Sequence, residues 1–189
     1  VGASGHRNLV IDDTPYNPFL FFVNTETAHE GDVVEAQIRE AAANGIHLYY
    51  EIHGQGEPLV LVHGGLTTIG EMERWVQPLS ATRQVIAVEM QGHGHTADTD
   101  RPMSFSLLAG DVMALLDHLE IPQADLVGHS FGGATAIRTA IQSPERIRRL
   151  VVISSPHAKS CWYSEAQKGM SQVGASMAGA MMQTPTGKL

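Results

Sequence analysis

The sequence predicts an α/β protein, a mostly parallel sheet with helices on both faces. Three observations carry that expectation. The runs PLVLV (58–62), VIAVE (85–89), ADLV (124–127) and LVVI (150–153) are apolar almost throughout, the pattern of strands buried on both faces rather than one. Between them lie segments whose apolar residues recur at three and four, the period of amphipathic helices. The glycine-rich stretches GQG, HGG, GHGH and GHSFGG each follow a predicted strand. In such sheets ligands gather at the carboxyl ends of the strands, where all four stretches are expected.

Taken in order, residues 1–44 read as an N-terminal arm, rich in Asn, Thr, Pro and Gly and packed through Phe19, Phe21 and Phe22, with a first strand over 33–39. The stretch EAQIRE (35–40) suits a helix equally well. Residues 46–53 (IHLYYEIH) are aromatic and β-branched and end at a hairpin-like Gly54-Gln55-Gly56 turn. The PLVLV strand leads to His63-Gly64-Gly65, then to a short helix over 71–79 closed by Pro78 and Ser80. The VIAVE strand leads to Gly92-His93-Gly94-His95. Ser104 caps a helix over 106–119, whose Leu108, Val112, Leu115 and Leu119 share a face, and Pro122 follows it. The strand over 124–127 precedes Ser130, and a helix over 132–142 ends at Ser143-Pro144. After the LVVI strand, residues 164–183 read as a Met-rich helix. The core is expected over 45–157.

The totals narrow the partners. Among 189 residues the net charge is −8, which argues against a nucleic-acid partner, because nothing offsets phosphate repulsion. No apolar run approaches the roughly 18 residues of a membrane span. The lone cysteine, Cys161, cannot form an internal disulfide, and the expectation is a reducing, cytoplasmic setting. The chain begins at Val1; an alternative start codon, processing and a fragment all fit.

The chemistry centres on Gly128-His129-Ser130-Phe131-Gly132, a G-x-S-x-G pattern between a predicted strand and helix. A turn this sharp leaves no room for side chains at the two glycines. It lifts the Ser130 hydroxyl to the top of the sheet, in front of a helix N-terminus. The glycines of His63-Gly64-Gly65 let backbone N–H groups approach an oxyanion. The N–H of Gly65 or Leu66, with that of Phe131, makes the expected oxyanion hole. His63 is expected to turn inward and hold this loop, and Glu89 to serve as a structural hydrogen-bond acceptor, with an acid relay as the alternative. His129 points away from Ser130, because neighbours at such a turn diverge. His63, His93 and His95 do not have the spacing of a zinc site, and no metal or other cofactor is expected.

HGG, then GHGHT (Gly92 to Thr96), then GHSFGG, in this order and spacing, resemble the α/β-hydrolase superfamily, and most of all its bacterial single-domain, esterase-like members. The resemblance covers about residues 45–157. It implies Ser130 as nucleophile, Phe131 and Gly65 or Leu66 as oxyanion donors, and a small, mostly apolar ester as substrate. It implies a pocket at His63, Gly64, His129, Trp162, Met170 and Met177, with residues 158–189 as the start of a helical cap. Met170, Val173, Met177 and Met181 share one helical face, which suits either an acyl pocket or the buried side of the cap. Lactone opening, C–C bond hydrolysis and cofactor-free haloperoxidation run on the same scaffold.

The family order is Ser, then Asp or Glu, then His. Beyond Ser130 the acids are Glu145 and Glu165, and the one histidine is His157. Glu145 is expected at the amino end of the LVVI strand, away from Ser130. His157 follows that strand's carboxyl end and is the candidate base, with a cap-hinge or surface role as the alternative. The expectation is a C-terminally truncated hydrolase that lacks the last strands of the usual sheet. A residual, non-catalytic domain is the alternative, and the exposed LVVI edge would favour homo-oligomers.

Overall fold

The computed structural model describes residues 37–155 and Ser164. Six strands form one sheet in the order β1-β2-β4-β3-β5-β6. They are β1 (Gln37–Ala43), β2 (Ile46–His53), β3 (Glu57–Val62), β4 (Arg83–Val88), β5 (Ala124–His129) and β6 (Ile147–Ile153). β1 and β2 run antiparallel, β2 and β4 likewise, and β4, β3, β5 and β6 are mutually parallel. The mostly parallel α/β sheet predicted above is the observed fold.

The helices are α1 (Glu73–Ser80), α2 (Phe105–His118) and α3 (Phe131–Gln142). Strand alternation decides which side each one covers. Val60, Val62, Ile86, Val88 and Leu126 face one way and pack against Leu108, Val112, Leu115 and Leu116 of α2 and Ala136 of α3. Leu59, Leu61, Val85 and Ala87 face the other way, against Val76 of α1 and the 3-10 turn Ile69–Met72 before it. The chain moves outward from β3 to β4 through α1, then back across β3 to β5 through α2. Right-handed crossovers in opposite directions place their helices on opposite faces.

That reversal has a consequence for function. β3 connects toward β4 and its neighbour β5 connects toward β6, so their loops part at the carboxyl ends. In sheets of this kind the ligand crevice forms at such a topological switch point. His63 follows β3 and Ser130 follows β5. The amino ends are tied by charge instead: Asp125, 4% exposed, meets Arg83 and Arg148, and Arg148 also meets Glu57.

Several expectations shift. The first strand described is Gln37–Ala43, which meets the expected 33–39 at 37–39 and runs on to Ala43; residues 33–36 lie outside the described residues, and 37–40 form a strand rather than a helix. It folds back on β2 through Asn44 (φ 49) and Gly45 (φ 83), the backbone of a tight two-residue hairpin turn. Pro78 does not close α1 but lies inside it, on the exposed side, with the helix running on to Ser80. Packing of Val76, Trp75 and Leu79 against the sheet compensates for the missing N–H. Gly54-Gln55-Gly56 lies at the edge away from Ser130: a Cβ on Gly54 would meet the Ser80 carbonyl oxygen at 2.1 Å. The turn ends an antiparallel strand, so its carboxyl end falls at the opposite rim.

Ser104 caps α2, accepting the Leu107 N–H at 3.3 Å. Glu145 sits in a 3-10 turn before β6, at the amino rim. β6 borders the sheet among the described residues, and Leu150 and Val151 are partly exposed there. Among the described residues no helix is long and apolar enough to cross a membrane.

Candidate active site

β5 passes directly into α3 through Ser130, whose φ of 50° and ψ of −112° lie outside the regions ordinary residues favour. Such a conformation costs on the order of 1–3 kcal/mol and persists only where its surroundings enforce it. Here they do. The Ser130 N–H donates to the Ile153 carbonyl at 2.8 Å, extending the β6 ladder. A Cβ on Gly128 would stand 2.2 Å from the Gly132 oxygen, and one on Gly132 would stand 2.3 Å from the Val62 and His63 oxygens. Two glycines thus let α3 start against β5 and the end of β3. Ser130 itself is exposed at the rim, and the first N–H groups of α3 have no acceptor within the helix.

The loop after β3 is fixed from inside. His63 is fully buried; its Nε2 accepts the Met90 N–H at 3.1 Å and its Nδ1 lies 2.6 Å from the Gly64 oxygen. A nitrogen that accepts from an amide carries no proton, so the ring is neutral, with its hydrogen on Nδ1. Burial drives the same outcome, lowering its pKa to about 4 although the Gly64 carbonyl pulls upward. His93 repeats the device: Nε2 accepts the Leu66 N–H at 3.1 Å and Nδ1 lies 2.9 Å from the Gln91 oxygen.

That bond occupies the N–H of one of the two oxyanion candidates. The Leu66 N–H is directed at His93, whereas Gly65 faces the serine turn, where a Cβ would stand 3.3 Å from the Phe131 Cβ. Glu89, 2% exposed, accepts the His95 N–H at 2.5 Å and the Ile69 N–H at 3.4 Å. It joins the GHGH loop to the segment before α1 and lies within a structural network. The His63 and His93 rings lie 5.0 Å apart, but their nitrogens are engaged with backbone groups, and His95 stacks instead on Tyr49 at 4.3 Å. Among the described residues no group of three metal-ligating side chains assembles.

His129 diverges from Ser130, as adjacent residues at the turn must. Its Nδ1 lies 2.8 Å from Glu71 Oε1, an ion-pair distance without the alignment of a hydrogen bond. Its ring packs edge-on against Trp75 at 5.7 Å. Glu71 had no motif to announce it; the one visible signal is an acid shortly after the glycine loop. The Phe131 ring meets Phe105 at 4.8 Å. Leu66 (65% exposed), Met103 (45%) and Phe105 (41%) leave an apolar rim. The candidates His157, Trp162, Met170 and Met177 lie outside the described residues.

Comparison with known proteins agrees with this fold. The chain is 40% identical over 121 residues to a 2-hydroxymuconate semialdehyde hydrolase of Pseudomonas sp. (strain CF600), covering 62% of this chain and 43% of that protein. It is 34% identical over 133 residues to 3-oxoadipate enol-lactonase 2 of Acinetobacter baylyi, covering 66% of this chain and 49% of that protein. The chain thus spans less than half the length of these two relatives. The crystal structure of the enol-lactonase from Burkholderia xenovorans LB400 superposes with a TM-score of 0.64 at 28% identity, over 76% of this chain and 58% of that one. The family model for the alpha/beta hydrolase fold matches residues 57–182, and on that match the chain belongs to the α/β-hydrolase fold family.

Proposed function

We propose that the chain carries the nucleophile and oxyanion hole of a serine hydrolase that cleaves small, mostly apolar carboxylic esters. The observation that carries this reading is the strained, exposed Ser130 between β5 and α3, with Gly65 packed beside the Phe131 side chain that follows it. Ser130 Oγ attacks the carbonyl carbon while a base takes its proton. The carbonyl oxygen becomes an anion held by the Gly65 and Phe131 N–H groups. The alcohol leaves with the proton, and water then hydrolyses the acyl-serine by the same route in reverse. His157 is the candidate base on this reading. Leu66, Met103 and Phe105 supply apolar surface for the acyl or alcohol group.

The test is hydrolysis of p-nitrophenyl butyrate by the full chain beside Ser130→Ala and His157→Ala. Ser130→Ala is expected to lose at least about 10³-fold in turnover. Equal rates for wild type and Ser130→Ala would overturn the reading. A second reading, ring opening of a lactone, draws on the enol-lactonase relative. It uses the same attack, and a higher kcat/KM for a lactone than for the open-chain ester selects it.

A further inference from the structure

Glu71 lies in the short helical segment after the glycine loop, and one carboxylate there reaches both halves of the site. Its Oε2 accepts the Gly64 N–H at 2.9 Å and the Thr67 hydroxyl at 2.7 Å. Its Oε1 lies 2.8 Å from His129 Nδ1. Gly64 immediately precedes Gly65, and His129 immediately precedes Ser130. The carboxylate therefore touches the residue before the oxyanion donor and the residue before the nucleophile.

The contact is close-fitting. A Cβ on Gly64 would stand 3.1 Å from Glu71 Oε2 and 3.2 Å from His129 Nδ1. Trp75, one helical turn beyond Glu71, closes the other side of the His129 ring. Burial pushes the Glu71 carboxyl up, but His129, the Gly64 N–H and the Thr67 hydroxyl outweigh it and hold the pKa down at about 2. The group is ionised throughout the neutral range and accepts the Gly64 and Thr67 bonds.

We propose that Glu71 is a positioning residue that sets the distance between the Gly65 N–H and Ser130 by bridging Gly64 and His129. The inference rests on the hydrolase reading above. A bridge of this kind depends on reach and acceptor geometry more than on charge. Gln keeps the reach, with its oxygen accepting from Gly64 and Thr67 while its amide donates to His129 Nδ1 in the tautomer that carries the ring proton on Nε2. Asp keeps the charge but is one methylene too short to span both.

The experiment compares Glu71→Gln, Glu71→Asp and Glu71→Ala in the full chain by two readouts. The first is the Gly64 amide by ¹H–¹⁵N NMR. Its exchange should accelerate at least about tenfold in Asp and Ala and stay close to wild type in Gln. The second is steady-state hydrolysis of p-nitrophenyl butyrate. Removing a whole oxyanion donor costs about 10²–10³ in kcat. Displacing one should cost Asp and Ala roughly 10–100-fold in kcat, with KM within about threefold, while Gln stays within about threefold of wild type.

An activity order that follows charge, with Asp active and Gln impaired, overturns the proposal. So does a rise in KM at unchanged kcat, or a Gly64 amide that is unmoved in Asp and Ala. If Ala fails to fold, the Gln and Asp pair still decides. Wild type no faster than Ser130→Ala would instead sink the hydrolase reading, and the Gly64 amide would then decide the bridge alone.

Discussion

The serine turn sets up a test in which one substitution has opposite signs at two positions. In Gly132→Ala the added methyl would stand 2.3 Å from the Val62 and His63 carbonyl oxygens. Ordinary van der Waals contact begins near 3.4 Å, so about 1.1 Å must be recovered by moving α3 away from the end of β3. Both partners are backbone, and neither rotates aside. Overpacking costs about 1–3 kcal/mol, and a rigid backbone clash belongs at the upper end, about 3 kcal/mol. In Gly110→Ala, inside α2, the methyl meets only Asn44 Nδ2 at 3.3 Å, the end of a side chain. Alanine is worth up to about 1 kcal/mol over glycine in a helix, so a net gain of about 0.5 kcal/mol is expected. Urea unfolding followed by far-UV circular dichroism measures both. With a slope of roughly 2 kcal/mol per M, the midpoint should fall by about 1.5 M in Gly132→Ala and rise by about 0.25 M in Gly110→Ala. A Gly132→Ala midpoint within about 0.3 M of wild type would refute the contact geometry at the turn.

Two further predictions use the same assay. His63 titrates near 6.5 when unfolded, and burial lowers this to about 4 when folded. Between those values the unfolded chain takes up a proton that the folded one refuses, so stability is full above pH 6.5 and falls as pH drops toward 4. The slope approaches 1.4 kcal/mol per pH unit and the total approaches about 3 kcal/mol; His63→Gln should flatten this window, and an unchanged slope would show that His63 is not the group responsible. Arg101 donates to both oxygens of the buried Asp111 at 2.8 and 2.7 Å. Arg101→Met should cost about 3 kcal/mol by stranding the Asp111 charge, and adding Asp111→Asn should recover part of it; two purely additive losses would argue against the pair.

How much of this was legible depended on whether the cause was local. The serine turn was readable because its requirement is steric and short-range: glycines two residues on either side of Ser130, between an apolar strand and a helix. Ser104 was readable as a cap for the same reason. β1 was harder, because QIREAAA combines residues that favour helices. Pairing with β2 overrides that propensity, and burial of Ala41 and Ala43 adds to it. The Asn44-Gly45 turn was the signal that would have announced the hairpin.

Pro78 shows the same override from the other side. Proline usually marks a helix end, yet packing on the sheet carries α1 two residues past it. At the oxyanion loop, spacing left Gly65 and Leu66 equivalent. Only the position of the His93 ring, brought in from the loop after β4, shows that the Leu66 N–H already has an acceptor.

The sequence by itself determined the α/β layering, the serine turn and its two glycine constraints. Those follow from periodicity and sterics over a few residues. Tertiary structure alone decided that Glu71, His129 and Gly64 meet and that the Leu66 N–H is taken by His93. It also decided that α1 lies opposite α2 and α3. Those depend on where the chain reverses across β3, and contacts between segments far apart in sequence leave no pattern along the chain.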